Sequence, residues 1–401
     1  MSVNEIALLL GVIILAGIIS GKTFQKMKAP MIIGFLLVGI LFGPSFLNII
    51  TAEISGKFEL LKMMTLGVIA YTIGGELNIK RTKQILRSIF VIAIVQIIAT
   101  FVLVFTATYY LLGFSFPISL LLGAIAPASA PASPLAVCRE YQADGPFTTT
   151  LLGTVAFLDV AVLTLFAVVS AFAAVILKGQ RLTGGFLAIP LLEIGGSVVL
   201  GLLVGIIIIF AMRRIDQKPW ALAFLLGVVL LNIGLAGIWH LSPLLVNMAA
   251  GIAVTNLSSS HLALHAFEDI EIPLYITFFF LAGVDLRLGV LVQTWVGAAT
   301  YIIARGTGKV GGTFLGAKLA KSEKQVQKFL GFGMLSKAGL SIGLVIMVQQ
   351  SFPEIAEQIT AIVLGAVAVS TLIGPLGEKF ALLSSGECKI ETRETTEEQS
   401  Y

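Results

Sequence analysis

Charge is scarce in this chain, and cysteine and histidine are scarcer still. Of 401 residues only 12% are Asp, Glu, Lys or Arg, two are cysteines and three are histidines. An ordinary soluble domain carries about 25% charged residues, so a water-facing surface over most of the chain is excluded. Cys138 and Cys388 fall in segments assigned below to the cytoplasmic side, where thiols stay reduced, and they offer no disulfide framework or metal spacing. His240, His261 and His265 lack a carboxylate at a spacing that would complete a metal site, and the segment of His261 and His265 reads as a solvated loop. There is no glycine-rich phosphate loop and no nucleophile with a base at motif spacing, so the chain is expected to be no enzyme and to carry no cofactor. The net charge of +4 comes from basic residues spread over many loops. Without a continuous basic patch, no nucleic-acid partner is expected.

Apolar residues fill the space that charge leaves. They make up 57% of the chain, with a mean hydropathy of +1.00. At about 20 apolar residues per crossing, this predicts an all-α polytopic membrane protein with about 13 transmembrane helices and a lipid bilayer as its surroundings. The spans fall at 5–21, 29–49, 61–79, 88–113, 116–138, 146–177, 186–212, 219–239, 242–257, 272–286, 288–319, 326–348 and 355–382. The first has Glu5 and no basic residues before it, so it is expected to remain as a helix rather than be cleaved as a signal peptide. Residues 1–385 form the transmembrane domain. The polar tail 386–401 carries Glu387, Glu391, Glu394, Glu397 and Glu398 among Ser, Thr and Gln, and reads as a disordered cytoplasmic end.

An odd number of spans sorts the loops into two alternating sets, and the basic residues divide unevenly between them. One set holds Lys22, Lys26, Lys28, Lys80, Arg81, Lys83, Arg87, Arg139, Arg213, Arg214, Lys218, the lysines between Lys318 and Lys328, and Lys379, Lys389 and Arg393. The other holds Lys57, Lys62, Lys178, Arg181 and Arg287. Cytoplasmic loops carry the excess. The N-terminus is therefore expected outside and the C-terminus in the cytoplasm, across a plasma (inner) membrane.

Asp159 interrupts the apolar run in the middle of the 146–177 span. A carboxylate at that depth is costly without a partner, water or an ion, which makes it an ion or proton site by default. Three segment pairs then point to an internal repeat, the arrangement in which many transporters hold a midplane site. Ala29-Pro30 opening the second span matches Ser242-Pro243 opening the ninth. Gly74-Gly75-Glu76 closing the third matches Ala282-Gly283 and Asp285 closing the tenth. Finally, the fifth span carries Pro127, Pro131 and Pro134, and each proline removes a backbone donor and clashes with the preceding turn. That span must break. The twelfth carries Lys337 between Gly333 and Gly339, a second candidate break. The expectation is two inverted six-helix repeats, approximately 1–178 and 219–382, with crossed discontinuous helices and a linker helix at 186–212.

These segments resemble one family. The run 29–47, Gly75-Glu76-Leu77, the stretch from Ala130-Pro131-Ala132-Ser133 through Arg139-Glu140-Tyr141, the Asp159 helix and Gly308-Lys309 are similar to the second family of monovalent cation:proton antiporters. The resemblance covers nearly the whole chain. It implies a core domain that moves against a panel-like dimerisation domain, exchange of Na⁺, K⁺ or Li⁺ for H⁺, and a homodimer. Many members carry two adjacent aspartates where this chain has Leu158 and Asp159. Lys309 falls on an intramembrane lysine that pairs with the first of those aspartates, so its partner is absent here.

The candidate roles follow. Asp159 holds either a proton or the transported monovalent cation, and competition for its oxygens couples the two. Ser129, Ser133 and the carbonyls freed around Pro127 to Pro134 are candidate oxygen ligands for a hard cation. Lys309 is the expected counter-charge of Asp159, and Arg305 the partner of some acid. Lys337, where relatives often carry Arg, is expected to compensate half-helix carbonyl ends or pair with Glu76; Glu76 otherwise reads as a helix-end acid. One carboxylate predicts one-for-one, electroneutral exchange, whereas proton cycling on Lys309 would make it electrogenic. Two other classes stay open: an anion or small-solute transporter of the same fold, using Lys309 and Lys337 for substrate, and a non-transporting sensor.

Overall fold

The computed structural model describes residues 3–77, 79–178, 185–258, 261–286, 289, 294–337 and 339–389. Arg181, Arg287 and the tail glutamates from Glu391 onward lie outside them. In chain order the helices are α1 (Val3–Lys26), α2 (Met31–Phe42), α3 (Ala52–Gly56), α4 (Glu59–Glu76), α5 (Ile79–Thr106), α6 (Phe116–Ile125), α7 (Ala132–Glu140), α8 (Pro146–Lys178) and α9 (Gly185–Met212). They continue as α10 (Lys218–Ile238), α11 (Pro243–Leu257), α12 (His261–Leu264), α13 (Glu271–Val284), α14 (Trp295–Leu319), α15 (Lys324–Phe329), α16 (Gly339–Ser351) and α17 (Pro353–Ser385).

Six of these segments are long and apolar enough to cross a membrane: Asn4–Lys26, Ile85–Leu111, Pro146–Leu177, Leu191–Met212, Lys218–Ile238 and Pro353–Ser385. Five shorter apolar helices accompany them. The expected 29–49 span is one of the short ones, with α2 stopping at Phe42. Gly43 precedes Pro44, and a residue before proline is driven out of the helical region; its backbone is extended, at φ −77° and ψ −180°. The expected loop at His261 and His265 instead begins with the single turn of α12, and His265 Nδ1 lies 2.7 Å from Glu268 Oε1.

The chain divides into two compact units, each assembled from two stretches of sequence. The first contains Met1–Thr82 and Leu192–Leu286. Within it α2 packs on α13 and α4 on α11, and glycine permits both approaches. A Cβ added to Gly39 would meet the Phe280 carbonyl oxygen, and one on Gly283 the Leu36 oxygen. In the other pair Gly74 faces the Met248 oxygen and Gly251 the Tyr71 oxygen. Helices in lipid associate largely through such close packing of small residues. Main chain on both sides leaves nothing to rotate away, so Gly251→Ala is expected to destabilise the protein by about 1–3 kcal/mol. Thermal unfolding in detergent checks this against Gly227→Ala, where the new methyl meets open space; equal melting temperatures would contradict it.

The second unit contains Lys83–Leu191 and Arg287–Tyr401. Both expected breaks are here. The fifth span splits into α6 and α7 with residues 126–131 between them, and Pro134 fits within the first turn of α7, where a missing N–H is tolerated. The twelfth splits into α15, a short 3₁₀ turn at Phe332–Met334, and α16. The expectation of a solvated tail from 386 fails at its first residues. Glu387 accepts hydrogen bonds from Phe147 N at 2.7 Å, Thr148 N at 2.8 Å and Thr148 Oγ1 at 2.8 Å. A carboxylate on the free N–H groups of a helix start is favoured by the helix dipole as well. The end of α17 and the start of α8 are thereby tied together.

Candidate functional site

Two broken helices free backbone groups that no lipid can satisfy, and the second unit supplies partners for several of them. Ala130 N donates to Ser336 O at 3.2 Å, joining the two breaks directly. Arg305, buried on α14, supplies the rest of the bridge. Its Nε donates to Ala126 O at 3.0 Å, Nη1 to Leu335 O at 2.8 Å, and Nη2 to Ala128 O at 3.0 Å and Ser336 O at 3.3 Å. Ser129 Oγ donates to Met334 O at 3.3 Å, and Thr371 Oγ1 to Lys337 O at 2.6 Å. The expectation that Arg305 pairs with an acid is therefore corrected. A planar fork of donors suits several convergent carbonyls, and of the carbonyls put forward as cation ligands Ala128 O is bonded to this guanidinium.

Lys309 stands one turn after Arg305 on α14, fully buried, and its Nζ donates to Ser129 Oγ. Asp159 lies in its electrostatic field. The Asp159 carboxylate, on α8, is buried, and its Oδ1 has no hydrogen-bond partner. Ser129 is thus brought to Lys309, and the Asp159 carboxylate is close enough to Lys309 for the two charges to interact, with one carboxylate oxygen left open. Leu158 beside them is fully buried apolar packing.

Ser133 goes elsewhere. It donates to Glu378 Oε2 at 2.6 Å and accepts from Ser336 Oγ at 3.1 Å. Lys337 also departs from expectation. Its Nζ donates to Tyr301 Oη at 2.6 Å and sits 4.6 Å from the centroid of that ring, whereas Glu76 is an exposed residue closing α4 in the other unit. A phenol gives a buried ammonium both a hydrogen bond and a cation–π face.

Glu378 and Tyr301 were not among the sequence candidates. Glu378 sits near the end of the last apolar run, immediately before Lys379, and in sequence it looks like an interfacial acid. In the structure it is fully buried. Tyr301 carries no sequence signal, since its role depends on a lysine 36 residues away. Among the described residues, no group of three or more His, Cys, Asp or Glu could hold a metal ion.

The comparisons bear on the family and the fold. The transmembrane family of sodium/hydrogen exchangers matches residues 10–382. The chain is 25% identical over 382 residues to a probable Na⁺/H⁺ antiporter, GerT, of Bacillus cereus, covering 92% of this chain and 97% of that one. It is 24% identical to the Na⁺/H⁺ antiporter NhaS4 of Synechocystis, covering 95% and 98%. It is also 24% identical to an ammonium/H⁺ antiporter subunit, AmhT, of Alkalihalophilus pseudofirmus, covering 83% and 84%. In fold it is similar to the sodium proton antiporter MjNhaP1 of Methanocaldococcus jannaschii, with a TM-score of 0.75 over 96% of each chain at 19% identity. With a family match across nearly its whole length, the chain belongs to the sodium/hydrogen exchanger family, and is a membrane antiporter rather than an enzyme.

Proposed function

We propose that this chain exchanges a monovalent cation for a proton at Asp159. The observation that carries this is the buried Asp159 carboxylate, whose Oδ1 has no partner, in the unit where buried Lys309 is bonded to Ser129 at the joined helix breaks. A carboxylate oxygen accepts one proton or one cation, and whichever binds excludes the other. Ser129, held by Lys309, is the hydroxyl this reading offers to the cation. A site with one carboxylate passes one cation against one proton, and the exchange is electroneutral. Na⁺ is the ion named for GerT and NhaS4, and ammonium for AmhT.

Alternating access follows from the inverted repeats in this reading, with thirteen spans, a homodimer, and the unit that carries Asp159 as the moving body. The glycine crossings support the repeats. Pairing the second span with the ninth and the third with the tenth exchanges the α2–α13 contact for the α4–α11 contact, and both have reciprocal glycines. The sorting of Lys and Arg supports an outside N-terminus and a cytoplasmic C-terminus. Anion transport fits less well. Among the described residues three buried cations are present, but Arg305 is engaged by carbonyls, Lys337 by Tyr301 and Lys309 by Ser129.

Purified protein in proteoliposomes with an internal pH dye tests this directly. A pulse of Na⁺, K⁺, Li⁺ or ammonium is expected to move protons outward from the lumen or inward according to the gradient, and the cation giving the response identifies the substrate. No response to any of the four at acidic, neutral or alkaline pH would end the antiport reading.

A further inference from the structure

A second buried carboxylate lies in the same unit, and Asp159 exchange by itself gives it no task. Glu378 on α17 is wholly inaccessible to solvent. Ser133, at the start of the half-helix α7, donates to its Oε2 at 2.6 Å, and Ser336, in the other break, donates to Ser133 at 3.1 Å. Its Oε1 has no hydrogen-bond partner. The pocket is shaped for this meeting. Gly374, one turn earlier on α17, lies so near Ser336 that an added Cβ would come within 2.6 Å of the Ser336 Cα. Only a bare glycine lets the second break approach the carboxylate. A buried acid used purely as a structural strut is expected to have both oxygens satisfied, and this one does not.

Its depth is informative. Glu387 binds the start of α8, so that start and the end of α17 share one end of the unit. Asp159 stands thirteen residues past Pro146, about 20 Å along α8, and Glu378 seven residues before Ser385, about 10 Å along α17, at 1.5 Å per residue. Glu378 is therefore the nearer of the two to that end, which the distribution of basic residues makes cytoplasmic. Among the described residues, the other buried charges of the unit are Arg305, Lys309, Lys337 and Asp159. Among the exposed or half-buried ones, Arg139 lies on α7 and Lys328 on α15, both helices that pack on α17. The electrostatic partners of Glu378 are the Ser133 and Ser336 hydroxyls.

We propose that Glu378 is a second proton-carrying carboxylate of the exchanger, standing between Asp159 and the cytoplasmic end. With the site open to the cytoplasm, Oε1 takes the proton that cation binding at Asp159 displaces and releases it to water at that end. When exchange runs the other way, it takes a proton from hydronium there and passes it to Asp159 as the cation leaves, the other half of each cycle taking place at the opposite face. Ser133 holds the ionised form through Oε2. Only the proton moves, so the stoichiometry at Asp159 is unchanged. This inference rests on the reading of Asp159 as the exchange site.

The test uses the full chain in proteoliposomes, with Na⁺-driven proton flux followed across pH for the native protein, Glu378→Gln, Glu378→Asp, Ser133→Ala and Asp159→Asn. Glu378→Gln is expected to slow the flux several-fold and displace its pH profile while the Na⁺ concentration for half-maximal flux at alkaline pH stays put. Glu378→Asp is expected to restore part of the rate. A native rate and profile in Glu378→Gln overturns the proposal, and so does an equal loss at every pH that Asp fails to relieve. Should Glu378→Gln not fold, the Glu378→Asp and Ser133→Ala profiles decide: a displaced profile in either supports the relay, and native profiles in both overturn it. Exchange that survives Asp159→Asn overturns the reading of Asp159 and the relay with it. A silent Asp159→Asn beside a native Glu378→Gln removes the relay alone.

Discussion

Asp159→Asn is expected to reduce cation-dependent proton movement to the background of protein-free liposomes. The amide has nearly the shape of the carboxylate, so the buried packing around α8 is retained, but it neither ionises nor binds a transported proton. Competition between proton and cation for one set of oxygens is then gone. Lys309 loses its counter-charge in the same step, and a buried charge without compensation is costly, so some loss of thermal stability is expected alongside the loss of flux. The two effects separate by experiment. Asp159→Glu keeps a titratable group and is expected to recover partial exchange, whereas a variant that failed only through stability would recover flux at lower temperature. Native flux from Asp159→Asn in well-folded protein would show that the exchange site lies elsewhere.

Arg305→Leu is expected to be the most damaging single change to the fold of the second unit. The guanidinium makes four hydrogen bonds to carbonyls from both breaks, at residues 126, 128, 335 and 336. Leucine fills the space and satisfies none of them, and a buried acceptor left unmade costs about 1–3 kcal/mol. Even with partial relaxation, a loss of about 3–5 kcal/mol is expected. Arg305→Lys is expected to recover only a fraction, since one ammonium on a flexible stem cannot span two chain segments as a planar fork does. Thermal unfolding in detergent gives the magnitude, and amide hydrogen exchange at 126–131 and 335–337 gives the place. A melting temperature within about 2 °C of native, a small fraction of what several kcal/mol would shift, would mean that other groups hold the breaks together.

Much of the architecture was legible from local conflicts in the sequence. Pro127, Pro131 and Pro134 cannot share one helix whatever surrounds them, so the break between α6 and α7 was readable from chain chemistry alone. Lys337 between glycines marked the second break in the same way. Asp159 and Lys309 stood out because a charge within a long apolar run is anomalous wherever its partner lies. The short α2 was legible too, in principle, from Gly43 before Pro44; counting apolar residues through to 49 missed it because apolar character continues after the backbone has turned.

What the sequence by itself determined, then, was a helical membrane chain with two interrupted helices and a carboxylate and a lysine at depth. The tertiary structure decided who meets whom. Arg305 reaches carbonyls 179 residues away, and Ser133 reaches Glu378 across 245. Nothing in the composition of either neighbourhood encodes such a pairing. Ser133 was expected beside Asp159 and turned to Glu378; Lys337 was expected near carbonyl ends or Glu76 and turned to Tyr301. Glu387 was read as tail and became the cap of α8. In each case the side chain has a general need, for a donor, an acceptor or a counter-charge, that its own residue type declares. Which group meets that need is set by the close approach of helices distant in sequence, and that approach depends on packing that local chemistry does not specify.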